Sequence, residues 1–140
     1  MEGLSLQYVA GIVDGEGSVV VSVNRAHSLR YANRTPRVIM RLIVANCHLP
    51  LIIALRDQFG GSICKHLDHY NPRARDNYRW VASEQLGCRV LEQILPFLIV
   101  KQAQALVMLE LGRLKKEARR RGTRRRLTEE EAQYRLSLAD

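Results

Sequence analysis

The feature that most constrains the fold is residues 4–17, LSLQYVAGIVDGEG, in which an apolar stretch ends on two carboxylates. From Leu4 to Val13 the stretch is apolar on nearly every side, so a helix here must be buried on more than one side. Gly11 and Gly15 lie four residues apart on one helix face, where missing side chains would let a second helix backbone approach closely. The segment therefore predicts a helix that packs on its own core and on another helix.

The two carboxylates at the end of this segment belong to Asp14 and Glu16. A helix C-terminus carries partial negative charge, so each carboxylate there is unfavourable by about 0.3–1 kcal/mol. Helix stability does not explain them, whereas a divalent cation would turn carboxylate and backbone carbonyl oxygens into ligands. Gly15 and Gly17 would let such a ligand approach the backbone. The competing interpretation is an ordinary buried helix followed by a turn.

The segment YVAGIVDGEG resembles the ten-residue signature of the LAGLIDADG homing endonucleases in its apolar pattern, glycines and acids. Two later segments, FGGSI and LPFLIVKQAQA, are similar to further landmarks of that family, so the resemblance covers about residues 5–110. In the family the signature helix packs against its twin, and the second acidic residue binds the catalytic metal. We therefore expect a homodimer of the single-motif type. Its predicted interface residues are Leu6, Val9, Ala10, Gly11 and Val13.

The positive charge of the chain is concentrated in two regions. The formal net charge is +8 over 140 residues. Residues 25–79 hold ten Lys or Arg against three Asp, and residues 113–126 hold nine Lys or Arg against one Glu. A basic middle and a basic tail on one small domain favour a polyanionic partner, of which nucleic acid fits best. For the tail, solvated charge that maintains solubility is the competing interpretation.

The cysteines and the apolar runs bear on the cellular compartment. Cys47, Cys64 and Cys88 are odd in number and form no CxxC pair, which predicts free thiols in a reducing intracellular compartment. No apolar run reaches the roughly eighteen residues of a membrane span. The N-terminus also lacks the charged and apolar regions of a secretory signal, so we expect neither a membrane partner nor secretion.

Periodicity predicts the order of the elements after the first helix. SVVVSVN and RVIMRLIVAN alternate as half-buried strands do, and LPLIIALRDQF has helical spacing with Asn46 as its N-cap. SICKHLDHY and YRWVAS form a second strand pair, and helices follow over 84–95 and 100–120. Hairpins with helices on one face make an α+β unit, αββαββα, whose antiparallel sheet has one bare face. We assign residues 1–114 to this core and residues 115–140 to a basic C-terminal extension with a short helix.

The bare face of the predicted sheet carries side chains suited to base edges in a major groove. In the second strand, Arg37 and Arg41 alternate with an apolar row that begins at Val38. The resemblance implies a saddle-shaped sheet that lies over double-stranded DNA. The predicted DNA-binding residues are Ser22, Asn24, Arg37, Arg41, Lys65 and Arg79 on the strands, and Arg25, Arg30 and Arg34 in the loop after the first strand.

The resemblance also implies the chemistry. It assigns Mg²⁺, or another divalent cation such as Mn²⁺, to Glu16 and the carbonyl of Gly15, and it leaves Asp14 to helix termination and structure. Lys101 matches the basic residue of the family's KQ motif, so we expect it to stabilise transition-state charge or to organise water. The competing interpretation of Lys101 is a surface lysine at a helix N-terminus. A homodimer would bring two Glu16 residues to the centre of the duplex, which predicts double-strand cleavage at a long near-palindromic site.

Two departures from the family pattern bear on activity. Glu16 stands where the family name has an aspartate, and the second strand ends in LIVA without a polar water-positioning residue, a role open to Asn46 or His48. The alternative function is a nucleic-acid binder of the same fold without cleavage, such as an intron maturase or a transcription regulator. It explains the basic strands equally well but not the carboxylates. A protein interaction domain with a solvated basic tail ranks third and predicts no affinity for polyanions.

Overall fold

A computed structural model describes residues 3–24, 37–66 and 75–120 of the chain. Its helices are α1 (Leu6–Glu16), α2 (Leu49–Phe59), α3 (Glu84–Ile94) and α4 (Gln102–Arg120), with a 3₁₀ turn over Leu95–Phe97. Its strands are β1 (Gly17–Asn24), β2 (Arg37–Asn46), β3 (Ser62–His66) and β4 (Asn77–Ser83). All pairings in the four-stranded sheet are antiparallel, in the order β1-β2-β4-β3. The predicted α+β fold is confirmed.

The core lies between one face of the sheet and the helices. On β2, every second residue from Val38 to Val44 is buried, as the alternating sequence predicts. Trp80 and Ala82 of β4 are fully buried beside this row. All four helices contact strands of the sheet, so this inner face is the one that they cover. The opposite side of the strands, called here the outer sheet face, is the predicted bare face.

Helix α1 uses its two sides differently. Val9, Ala10 and Val13 are fully buried in the chain's own core, which corrects the prediction that they face a partner. Leu6 is half-buried against the same core. A helix that is apolar all round gives no periodicity from which to tell these sides apart. Of the five predicted interface residues, Gly11 alone is exposed.

The exposed side of α1 has an open strip along its length. Apart from the adjoining backbone of α1, a Cβ atom added at Gly11 or Gly15 would meet no atom of the described residues within 4 Å. Tyr8, one turn before Gly11, has 54% of its surface exposed. This strip, formed by Tyr8, Gly11 and Gly15, is called the open side of α1. It is the face that the sequence predicts for a second helix.

The junction of α1 and β1 has no connecting loop. The amide of Gly17 donates to the carbonyl of Val13, and a Cβ atom at Gly17 would lie 2.7 Å from that carbonyl oxygen. Only glycine allows this approach, so the first strand can begin directly after the helix. Glu16 is therefore fixed at a defined end of the structure rather than on a loop.

The cap predicted for the second helix differs from the observed one. The N-cap of α2 is His48 and makes no side-chain cap bond, so the prediction of Asn46 as N-cap is wrong. Helix α4 agrees with the predicted helix over 100–120, and Lys115 fixes it to the core. The Lys115 amino group donates to the carbonyl of Val38 at 2.6 Å and to Glu84 at 3.0 Å.

The remainder of the predicted C-terminal extension, residues 121–140, lies outside the described residues. Within the described ranges, no helix is both long enough and apolar enough to cross a membrane.

Candidate active site

Asp14 is held by the segment that precedes α4. Its carboxylate accepts hydrogen bonds from the amides of Ile99, Val100 and Lys101 at 2.8, 3.1 and 3.0 Å. Desolvation on its own would raise the pKa of the Asp14 carboxyl, but these amides and the Lys101 charge hold that pKa below its ordinary value. Asp14 thus stabilises the fold, in agreement with the structural role that is predicted for it.

Lys101 returns a bond to the same residue. Its amino group donates to the main-chain carbonyl of Asp14 at 2.6 Å. The last turn of α1 contains no basic residue of its own, and a cation is favourable at a helix C-terminus. The structure therefore brings Lys101 to the end of α1, as the sequence analysis expected, and partly buries it there.

Glu16 lies in different surroundings at the same helix end. It is exposed, and one carboxylate oxygen, Oε2, accepts a hydrogen bond from the side-chain amide of Asn46. Asn46 is itself oriented, because its Oδ1 accepts from the backbone amide of His48 at 2.7 Å. Asn46 is the last residue of β2. It directly follows the LIVA segment, which lacks a polar water-positioning residue, and it is one of the two residues to which that role is open.

The residues at this helix end fit a divalent cation in part. The second carboxylate oxygen of Glu16 has no protein donor in the described residues. Gly15 lies in the last turn of α1, where carbonyl groups have no intrahelical partner. Within the described residues, no group of three or more His, Cys, Asp or Glu side chains could hold a metal. Further ligands must therefore come from outside these residues, and hard cations accept phosphate oxygens and water as such ligands.

The outer sheet face presents three of the predicted DNA-binding residues. The register places Ser22, Arg41 and Arg79 opposite the core-facing rows of their strands. Ser22 and Arg41 are exposed and Arg79 is half-buried. Within the described part of the chain, neither arginine forms an ion pair.

The outer sheet face also has apolar members that the predicted contact set lacked. Ile39, Ile43 and Val81 lie on this face and are half-buried. A face with both polar and apolar side chains is still compatible with a DNA major groove, because apolar side chains can contact the methyl group of thymine there. A groove of about 290 Å³ continues from this face and is lined in part by Arg41, Ser83 and Arg119 of α4.

The face predicted for Lys65 is wrong. Lys65 pairs with Tyr78, and Ile63 pairs with Trp80, so Lys65 belongs to the same side of β3 as the core-facing Ile63. Alternation along a strand forbids opposite faces for residues two apart. The Lys65 amino group forms a 3.1 Å ion pair with Asp76 at the exposed end of the hairpin. Cys64 occupies the outer sheet face in its place.

The remaining predicted DNA-binding residues belong to the ends of β1 and β2 and to the segment between these strands. The backbone register pairs Asn24 with Arg37 at the ends of β1 and β2. Arg25, Arg30 and Arg34 lie outside the described residues.

The partners of Asp14 and the bond between Asn46 and Glu16 were not predicted from the sequence. A signal for the first exists: α4 follows LIVK, which contains none of the usual capping residues Ser, Thr, Asp or Asn. Uncapped amides at a helix start need an acceptor from elsewhere in the chain. For the bond between Asn46 and Glu16, which lie 30 residues apart, the sequence offers no comparable signal.

Comparison with known proteins gives structural neighbours only. No protein-family model and no curated protein matches the sequence. The archaeal intron-encoded homing endonuclease I-Vdi141I, complexed with DNA, is similar with a TM-score of 0.74 and 19% identity over 96% of this chain and 79% of that one. The homing endonuclease I-TnaI gives a TM-score of 0.68 and 21% identity over 99% of this chain and 87% of that one.

A third neighbour differs in length. The LAGLIDADG homing endonuclease I-SmaMI, bound to cleaved DNA, gives a TM-score of 0.66 and 16% identity, over 96% of this chain but 42% of that one. Identities this low establish a common fold alone. The described unit, with α1 leading directly into the four-stranded sheet, thus has the fold of the LAGLIDADG homing endonucleases.

Proposed function

We propose that this chain is a site-specific DNA endonuclease that makes a double-strand break by metal-dependent phosphodiester hydrolysis. The observation that carries the proposal is the exposed carboxylate of Glu16, at the same helix end as Lys101, on a fold whose neighbours are described as DNA complexes. Asp14 is explained by its bonds to backbone amides, but the single bond from Asn46 does not explain why a carboxylate ends a helix at Glu16.

Glu16 and the carbonyl of Gly15 are the proposed holders of Mg²⁺ or Mn²⁺. Neighbouring structures of the homing endonuclease I-CvuI are described with Mg and with Ca, which supports divalent cations as the class. A bound cation supplies an activated water and stabilises the leaving oxygen. Asn46 holds one oxygen of the exposed Glu16 carboxylate, and the other oxygen, which has no donor in the described residues, would bind the cation. Lys101 offers a positive charge to the scissile phosphate at the same helix end.

Two copies of the chain are needed to cut both strands. Each copy supplies one Glu16, and no described cluster completes a metal site within the chain. The open side of α1 provides the surface for a second copy, because two glycine strips allow close helix approach. Exposed Ile99 and Val100, 86% and 68% accessible, extend this surface with apolar area beside Asp14. I-SmaMI, of which this chain spans 42%, is long enough for two such units.

The proposed DNA surface is the outer sheet face, in the form of a saddle over the duplex. Ser22, Arg41 and Arg79 would contact base edges there. The groove that joins Arg41 to Arg119 connects this face to the basic end of α4, whose charges would contact phosphates. A two-fold protein surface predicts a near-palindromic site. The further predicted contacts are Asn24 and Arg37 on the strands, with Arg25, Arg30 and Arg34 in the adjoining loop.

The three free thiols fit action in a reducing intracellular compartment. A nucleic-acid binder of the same fold, such as a maturase or regulator, is the second candidate, because the outer sheet face supports binding with or without cleavage.

Cleavage of a bound site separates these candidates. The protein would be used to select its own sites from a random DNA library, and the selected duplexes would then be incubated with protein and Mg²⁺. We expect double-strand breaks with Mg²⁺ and none with EDTA, since hydrolysis requires the cation. Tight, salt-dependent binding without breaks at any divalent cation would reject the nuclease in favour of the binder.

A further inference from the structure

We propose that Asp14 is a positioning residue, which fixes the amino group of Lys101 at the C-terminus of α1. The catalytic consequence rests on the proposed function, but the placement itself does not. Four hydrogen bonds support it, three from the amides of Ile99, Val100 and Lys101 to the carboxylate and one from the Lys101 amino group to the Asp14 carbonyl.

These bonds form a reciprocal connection between two helix ends. The carboxylate supplies negative charge where α4 begins, and Lys101 supplies positive charge where α1 ends. Lys101 is also the residue whose carbonyl accepts the first bond of α4, from the amide of Ala105 at 3.0 Å. Asp14 therefore anchors Lys101 twice. Its carboxylate binds the backbone amide of Lys101, and its main-chain carbonyl binds the amino group of Lys101.

A lysine needs such anchoring more than other groups would. Its ammonium group sits on a flexible four-carbon stem, so an unrestrained Lys101 would occupy many rotamers. Charge stabilisation in a reaction depends on groups that are already in place. Asp14 removes backbone freedom at Lys101 and presents the carbonyl that holds its amino group. Glu16 follows Asp14 by two residues, so the same anchor keeps the lysine beside the proposed metal ligand.

A purely structural anchor is the competing explanation, and a matched pair of variants separates the two. Asp14→Asn leaves one acceptor oxygen and turns an NH₂ group toward the three amides. Glu84→Gln makes the same chemical change at the other attachment of α4, where Glu84 holds Lys115 at 3.0 Å. Each variant weakens one attachment of the helix, and each attachment holds one lysine.

The first measurement is the rate at which each lysine reacts with an amine-reactive reagent, followed by mass spectrometry on the full-length protein. Lys116, which is exposed, serves as the reference. We expect Asp14→Asn to raise the labelling rate of Lys101 toward that of Lys116 and to leave Lys115 unchanged. Glu84→Gln should do the reverse. Labelling of Lys101 that does not respond to Asp14→Asn would overturn the placement.

The second measurement is a double-mutant cycle on single-turnover cleavage at saturating protein. Lys101→Ala should slow the reaction by about 10²–10³, and Asp14→Asn by roughly 10–10² through a displaced lysine. If Asp14 acts through Lys101, the double variant should be no slower than Lys101→Ala. Rate losses that multiply, or an equal loss in Glu84→Gln, would show a structural role instead. Absence of cleavage by the unaltered protein would reject the nuclease function, while the labelling result would still decide the placement.

Discussion

Asp14 and Glu16 are separated by one residue at the end of α1, yet their carboxylates have opposite surroundings. Asp14 is bound by three backbone amides of a distant segment, whereas Glu16 is exposed and held by one side-chain amide. The first arrangement satisfies a carboxylate within the chain, and the second leaves an oxygen for a ligand. Two acids that look equivalent in a sequence motif can therefore serve stability in one case and chemistry in the other.

Unfolding measurements should show the largest difference between these carboxylates. Asp14→Ala removes the acceptor of three hydrogen bonds, and bonds to a charged group at a partly exposed site lead us to expect a loss of about 2–3 kcal/mol. Glu16→Ala removes a charge from a helix C-terminus, so its effect should stay within about 0.5 kcal/mol or be stabilising. Urea unfolding at neutral pH and fixed protein concentration measures both. Equal losses of unfolding free energy in Asp14→Ala and Glu16→Ala would contradict the claim that only the Asp14 carboxylate stabilises the fold.

A smaller effect is expected from Gly11, which tests whether the open side of α1 holds a second copy. The Cβ of Gly11→Leu would meet no atom within 4 Å in the described part of the chain, apart from the adjoining helix backbone, so the folded chain should tolerate it. Across a close helix pair the same side chain overpacks the interface, and we expect the dimer dissociation constant to rise at least about tenfold.

Sedimentation over a range of concentrations measures this constant, with Gln104→Leu at an exposed position of α4 as the matched control. A monomer in the unaltered protein, or equal effects of the two variants, would contradict the assignment. Under the nuclease proposal, Gly11→Leu should weaken the function that needs Glu16 while leaving the contribution of Asp14 to stability intact.

The fold was predictable where one local pattern decides it. Alternation on β2 gave the correct buried row from Val38 to Val44, and helical spacing gave α2 with its observed bounds. The apolar helix α1 was predictable as an element but not in its orientation, because residues that are apolar on all sides carry no directional signal. The prediction for Lys65 was wrong because it placed Lys65 and the core-facing Ile63 on opposite faces, which strand alternation does not allow for residues two apart.

The candidate site was predictable only in part, because its contacts join distant positions. The motif identified Glu16, Gly15 and Lys101, and the structure brings them to one helix end. Asp14 and Ile99 are 85 residues apart, so no local pattern connects them. For the same reason the sequence assigns different roles to the two carboxylates only through the family resemblance, whereas the fold shows the partners that make them different.

The central claim is that the carboxylate of Glu16 serves a cation and not the fold. Glu16→Gln keeps the size of the side chain and an acceptor for Asn46 but removes the charge that a divalent cation requires. The test compares Mg²⁺-dependent cleavage of a selected site by the unaltered protein, Glu16→Gln, and the control Glu92→Gln at an exposed position of α3. At equal DNA occupancy, we expect Glu16→Gln to lose cleavage by several orders of magnitude with unchanged stability and DNA affinity, and Glu92→Gln to cleave normally. Retained Mg²⁺-dependent cleavage by Glu16→Gln would contradict the account.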